Sequence, residues 1–312
     1  MQERMKESMA SSASLPQFAI SHQQCLSQQK MHVLARLIAR CAVRSLYTEL
    51  MLYPKPGLVS ALDSGSHRDM DASTFMRSLF ALRHFFYQIA LAGWRHAPFH
   101  ALKQLGIQAE QRMLRATGGV NTHRGAIFCI GLLGAASARC IADQQVLTPQ
   151  NLRASLREGW QLDLQQHQNQ QVDLGGTSHG AQVAQKFAMS GAREEAAQGF
   201  PAIFELALPR LQQGLAVGCS QEQALIDSLF SLMAQIHDTN IVYRGGLTAA
   251  ILVRKEAQHF LQQGGSRHPA WRANALQIHR KLVAENLSPG GAADLLAATS
   301  FIHFLLQSVA AS

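Results

Sequence analysis

The chain is expected to fold as an all-α protein, a single globular domain of roughly ten helices whose polar, glycine-rich loops form the site. Three observations carry that expectation. Apolar residues recur at helical spacing in segment after segment. Helix-start signals stand ahead of those segments, and no period-2 run or Asn-Gly or Asp-Gly hairpin turn interrupts them.

Taken in order, residues 1–30 are polar and rich in Gln and Ser, and read as a flexible tail. They lack the apolar core of a secretory signal. From Met31 to about Leu52, Leu34, Leu37, Ile38, Cys41 and Ser45 share one helical face. After a Pro- and Gly-rich loop, Asp71 or Ser73 can cap a helix striped by Phe75, Leu79, Leu82, Phe86 and Ile89. The apolar run Gly125–Ala138 is too short to span a bilayer and suits a buried core helix. Thr148-Pro149 reads as an N-cap with proline at the first helical position. Ser220 and Gln223 form a capping box ahead of Leu225, Leu229, Leu232 and Ile236. Ser288-Pro289 opens the last helix, which carries Leu295, Leu296, Phe301, Leu305 and Leu306. The domain therefore spans 31–312, with no internal repeat of solenoid length.

Composition narrows the function. The 312 residues are 47% hydrophobic and 15% charged, an ordinary globular balance. A formal net charge of +8 favours anionic partners, yet the cations are scattered, and the three Trp and four Tyr form no stacking platform with them. That disfavours a nucleic-acid-binding module and leaves phosphorylated small molecules. The five cysteines form no CxxC pair, which suits reduced thiols and a cytoplasmic protein without membrane attachment.

Five loops concentrate chemistry. In the first, Pro54 and Pro56 flank Lys55 and aim one ammonium, while His67, Arg68, Asp69 and Asp71 supply acid, base, cation and oxygen-ligand character. In the second, Gly118-Gly119-Val120-Asn121-Thr122-His123-Arg124-Gly125 runs into a helix start, a natural anion site. The third holds His179 and the Arg193-Glu194-Glu195 group. The fourth places Asp238 and Asn240 before Arg244-Gly245-Gly246, suited to Mg²⁺, ribose hydroxyls and phosphate. The fifth puts Ser288 and Asp294 around a glycine-rich helix start. Singly, each could be an ordinary solvated turn or surface ion pair.

In this order the loops resemble the triphosphoribosyl-dephospho-CoA synthase family. The resemblance covers about Met31–Ala310 and rests on PKPGLV at 54–59, GSHRDMD at 65–71, GVNTHRGAIF at 119–128 and His179-Gly180. It continues through GAREEA at 191–196, DTN at 238–240 with RGG at 244–246, and NLSPGGAADLLA at 286–297. It implies a transferase that converts ATP and 3′-dephospho-CoA to 2′-(5″-triphosphoribosyl)-3′-dephospho-CoA and adenine. The product is then the precursor of an acyl carrier protein's prosthetic group, delivered by a downstream phosphoribosyl-dephospho-CoA transferase. Two positions depart from the family pattern: Glu194 stands where Gly is common and Ser60 where Asp is common. The first leaves Glu195 as the matching carboxylate; the second leans toward the malonate decarboxylase branch over the citrate lyase branch.

A ribosyl transfer needs a polyphosphate clamp, a base and a leaving-group acid. Lys55, Arg68, Arg124 and Arg244 are the clamp candidates, with Asn121, His179, Arg193, Asn240, Ser288 and Asp294 as further substrate contacts. Asp69 or Asp238 is expected to hold Mg²⁺. Glu49 and Glu195 are the leading bases, with Asp69 as a further carboxylate, and His67, His123 or His179 the acid. The competing enzymatic reading is a Mg²⁺-dependent helical hydrolase of nucleotide or ADP-ribose-type substrates.

Overall fold

The computed structural model describes residues 16–173 and 192–311, with side chains from residue 27 to 166 and from 192 onward. Among the described residues there are eleven α-helices and no strand. They are α1 Pro16–Met51, α2 Ala72–Trp94, α3 Phe99–Thr117, α4 Arg124–Ala142, α5 Pro149–Asp173 and α6 Ala192–Ala197. A π-helical turn, Ala202–Ala207, leads into α7 Leu208–Ala216, followed by α8 Gln221–Gln235 and α9 Thr239–Gln262. A short 3-10 turn, Gly265–Arg267, precedes α10 Trp271–Ala284 and α11 Gly290–Ala310.

Three start signals act as expected, whereas at the last helix Pro289 rather than Ser288 is the N-cap and the Ser288 hydroxyl meets His67 instead. Asp71 caps α2, accepting from the Thr74 amide at 2.8 Å. Thr148 Oγ1 accepts from the Asn151 amide at the start of α5. Ser220 and Gln223 close the capping box of α8 in both directions. A second difference lies in α1, which begins at Pro16 rather than near Met31. The upstream stretch has no apolar stripe, but its Gln, Ala, Leu and Lys are competent helix formers.

Three helices are buried almost all round. In α4 every residue from Cys129 to Ala138 is inaccessible, in α8 every residue from Ala224 to Ala234, and in α11 every residue from Leu295 to Leu305. A helix apolar on every face belongs inside a bundle. Around α4 pack α1, α2, α3 and α5; around α8 pack α7 and α9; α11 touches α1, α4, α8 and the π-helical turn and so joins the two groups. At 19 and 21 residues, α4 and α11 are long and apolar enough to cross a membrane, and here that apolar surface faces the core. What matters for function is where these inner helices begin. The N-termini of α4 and α11, together with that of α9, meet at one end of the bundle.

Candidate active site

The loop between α1 and α2 turns inward. Lys55 is fully buried, and its Nζ donates to the Glu49 carboxylate at 2.5 Å and the Glu49 carbonyl at 2.7 Å. It thus caps the C-terminal end of α1. Burial pulls the lysine's pKa down and Glu49 opposes that shift. Gly57 holds φ +69 with the Leu287 carbonyl so close that any Cβ would collide with it. Ser66 Oγ donates to that same carbonyl at 2.6 Å. The first loop is therefore fastened to the fifth. His279 of α10 supports it from behind, with Nδ1 2.9 Å from the Lys55 carbonyl and Nε2 3.4 Å from Asp63.

Arg244 ties in the fourth loop. Its Nη1 donates to the Ser66 and Asn286 carbonyls at 3.0 and 3.1 Å, and Nη2 donates to His67 Nδ1 at 3.2 Å. With Nδ1 accepting, His67 Nε2 donates to Ser288 Oγ at 2.8 Å. Burial, then the Arg244 charge, lower the His67 pKa, so it is neutral near pH 7.

Carboxylates join the helix starts. Asp238 caps its own helix, α9, by accepting from the Asn240 amide at 2.9 Å, and caps α11 by accepting from the Ala292 amide at 3.0 Å. Asp294, in the first turns of α11, accepts from the Ala126 amide and so caps α4. Gly125 leaves the room for it, since a Cβ there would meet Asp294 Oδ2 at 1.9 Å. Asp294 keeps a minority of its surface accessible, but protein encloses the carboxyl on its other sides. That enclosure, then the nearby Glu49 and Asp238, push its pKa well above the ordinary carboxylate value. Burial likewise raises Asp238. His123, the N-cap residue of α4, is 4% exposed, and its side chain makes no bond to its own helix. Burial, assisted by Lys55, takes its pKa down to about 3.

The ATP:dephospho-CoA triphosphoribosyl transferase family model matches residues 35–311. The chain belongs to this family. A probable 2-(5″-triphosphoribosyl)-3′-dephosphocoenzyme-A synthase of Acinetobacter calcoaceticus is 38% identical over 277 residues, covering 89% of this chain and 92% of its own. A protein of the same name from Vibrio cholerae serotype O1 (strain M66-2) is 37% identical, covering 88% and 90%. The 2-(5″-triphosphoribosyl)-3′-dephosphocoenzyme-A synthase of Pectobacterium atrosepticum is 39% identical, covering 83% and 86%. No solved structure matches. As a family member the chain is an enzyme, a transferase.

Against this background the residues singled out in the sequence divide. Glu49, Lys55, His123, Asp238 and Asp294 share one buried neighbourhood. His67, Arg244 and Ser288 form a hydrogen-bonded group next to it, and Asn240 packs on Gly290. Arg68 and Asp69 lie outside: Asp69 is 62% exposed, 3.7 Å from His67. Arg124 points away onto Glu110, and Asn121 accepts from the Arg124 amide. The four cations expected to clamp phosphate are thus not gathered in one place. Lys55 is an interior cation rather than an aimed surface one. Glu195 accepts from the Ala202 amide at 3.1 Å, capping the π-helical turn, and burial raises its pKa. Arg193 is partly buried, which lowers its pKa. His179 lies outside the described residues. Sequence reasoning missed Ser78 and His279. Ser78 had one signal, a lone hydroxyl next to Leu79 on an apolar face; His279 had none.

Among the described residues no three His, Cys, Asp or Glu side chains form a ready-made metal cage. Mg²⁺ shared with nucleotide phosphates does not need one, because one or two carboxylates suffice. The buried carboxylates Asp238 and Asp294 offer that hard-oxygen chemistry, with a further lone pair left on each capping oxygen.

Proposed function

We propose that the chain transfers the triphosphoribosyl group of ATP to the 2′-hydroxyl of 3′-dephospho-CoA and releases adenine. The observation that supports this most is the meeting of the motif loops on the starts of α4, α9 and α11. Helix starts present free N–H groups and positive dipole ends, which suit a polyphosphate. Family membership supplies the two substrates.

The reaction breaks the bond between ribose C1 and adenine and forms one between C1 and the attacking oxygen. The hydroxyl loses a proton and adenine takes one up, so the charges balance. Asp294 is the fitting acceptor for the hydroxyl proton, since its enclosure and the neighbouring carboxylates raise its affinity for a proton. The positive charge developing on the ribose is stabilised by the carboxylates of Glu49 and Asp238. Mg²⁺ would be held by Asp238 with phosphate oxygens and would neutralise triphosphate charge. His67, held by Arg244 and Ser288, lines the approach.

Ser60 supports the malonate decarboxylase branch as the pathway served, with the acyl carrier protein and its transferase downstream. The unpaired thiols of Cys41, Cys129, Cys140 and Cys219 support a cytoplasmic setting. Incubation with ATP, Mg²⁺ and dephospho-CoA should yield adenine and a product heavier than dephospho-CoA by one triphosphoribosyl unit. ADP or phosphate without adenine would refute the ribosyl transfer.

A further inference from the structure

Ser78 lies on α2, is fully buried, and belongs to none of the motif loops. Its hydroxyl has two polar neighbours. Thr122 Oγ1 donates to it at 2.7 Å, and His123 Nδ1 lies 2.6 Å on its other side. At the far side of the same imidazole, Nε2 is buried with no hydrogen-bond partner among the described residues. The ring is held edge-on against Phe75, with centroids 4.9 Å apart.

We propose that Ser78 is a positioning residue that fixes His123 in the tautomer with its proton on Nε2, making that N–H a donor to an anionic oxygen of the substrate. The logic is one of counting protons. A hydroxyl has one proton to give. Thr122 uses its own on Ser78, so the Ser78 proton is directed to the remaining neighbour, Nδ1, which must then be a lone pair. The neutral ring therefore carries its hydrogen on Nε2. A buried N–H without a partner is uncommon in a folded protein and points to an acceptor that arrives from outside. The groups around it indicate that acceptor's charge: His123 opens α4, whose first amides favour anions, and the Lys55 ammonium is near enough to depress its protonation. The low pKa keeps the ring neutral, so it donates a hydrogen bond without carrying a proton across.

This rests on the triphosphoribosyl-transfer reading for the acceptor's identity, a phosphate or ribose oxygen of ATP, but not for the tautomer. The two are therefore tested apart. ¹⁵N-histidine spectra of the substrate-free chain, with His123 assigned by its loss in His123→Gln, should show a protonated Nε2 and an unprotonated Nδ1. In Ser78→Ala, and in Thr122→Val as the milder variant, that single pattern should give way to mixed tautomers. Adenine formation should fall roughly ten- to a hundredfold in kcat/KM for Ser78→Ala, the loss of one hydrogen bond to a charged group. His123→Gln, which retains a donor, should keep more activity than His123→Ala. A parent spectrum with the proton on Nδ1, or Ser78→Ala and Thr122→Val spectra identical to the parent's, would overturn the proposal. A parent with the expected spectrum but no adenine formation would instead overturn the reaction and leave the tautomer standing.

Discussion

Replacing Lys55 with Met tests the interior of the site most directly. Lys55 is 0% exposed and Glu49 6%, with 2.5 Å between Nζ and Oε1. Removing the ammonium leaves a carboxylate buried without its counter-charge, which typically destabilises by about 3–5 kcal/mol. It also removes one of two donors to the Glu49 carbonyl at the end of α1, the Leu52 amide being the other, a bond worth about 1 kcal/mol. For a chain of 312 residues the entropy of unfolding is on the order of 0.65 kcal/mol per degree, so the melting temperature should drop by about 6–9 °C. The pair Lys55→Met with Glu49→Gln should lose less, because no uncompensated charge remains; the coupling should be about 2 kcal/mol.

Urea denaturation of the parent, both single variants and the double variant measures that cycle. Lys55→Met within about 0.5 kcal/mol of the parent, with no coupling to Glu49→Gln, would refute the reasoning. That outcome would restore the sequence expectation of a preset loop cation whose loss weakens ATP use alone.

Three further variants read other parts of the site. Asp294→Asn keeps an acceptor for the Ala126 amide but no titrating group. Because the folded carboxyl pKa is raised, the parent loses stability as pH climbs through and above the ordinary carboxyl range. The variant should thus gain on the parent in stability as pH rises from 4 to 8, and lose about a hundredfold or more in adenine formation. For His123 the sign is opposite: with a folded pKa of about 3 against an ordinary 6.5, stability is complete above pH 6.5 and is lost as pH falls toward 3. His123→Gln should therefore flatten the acid limb of a stability–pH curve by about one proton. Arg244→Lys cannot keep the forked contacts to Ser66, Asn286 and His67; a loss of about 2 kcal/mol is expected by denaturation, with faster amide exchange in residues 64–67.

Local signals were legible because their physics is local. The capping box at Ser220, the caps at Asp71 and Thr148, and the stripes of α2 and α8 each depend on residues within a few positions. The start of α1 was not legible, since a Gln-rich helix without an apolar stripe carries no periodic signal. The first, second, fourth and fifth motif loops meet in the structure. The direction in which each side chain points did not follow, because it is decided by contacts far apart in sequence. Lys55 turns inward because Glu49 receives its ammonium while His279 holds its backbone carbonyl, and Arg124 turns outward because Glu110 receives it. Ser78 has meaning only through Thr122 and His123 on another helix start.

The carboxylates explain why loops so distant along the chain act as one unit. An isolated helix start is satisfied most simply by a residue next to it. Here α4 lacks a side-chain cap of its own and takes one from Asp294, while α11 takes one from Asp238, the residue that also caps α9. Each carboxylate thus fixes the distance between two helix starts, and the glycines at 125 and 291 leave the space that this requires. The arrangement is unfavourable in isolation, because Glu49, Asp238 and Asp294 crowd like charge into a buried region where Lys55 is the counter-charge bonded to one of them. Strain of that kind persists where function depends on it. A reaction that builds positive charge on a ribose while holding a triphosphate needs both features at once: amides facing the phosphates and carboxylates facing the sugar. Helix starts capped by carboxylates from neighbouring helices supply the two within one short span.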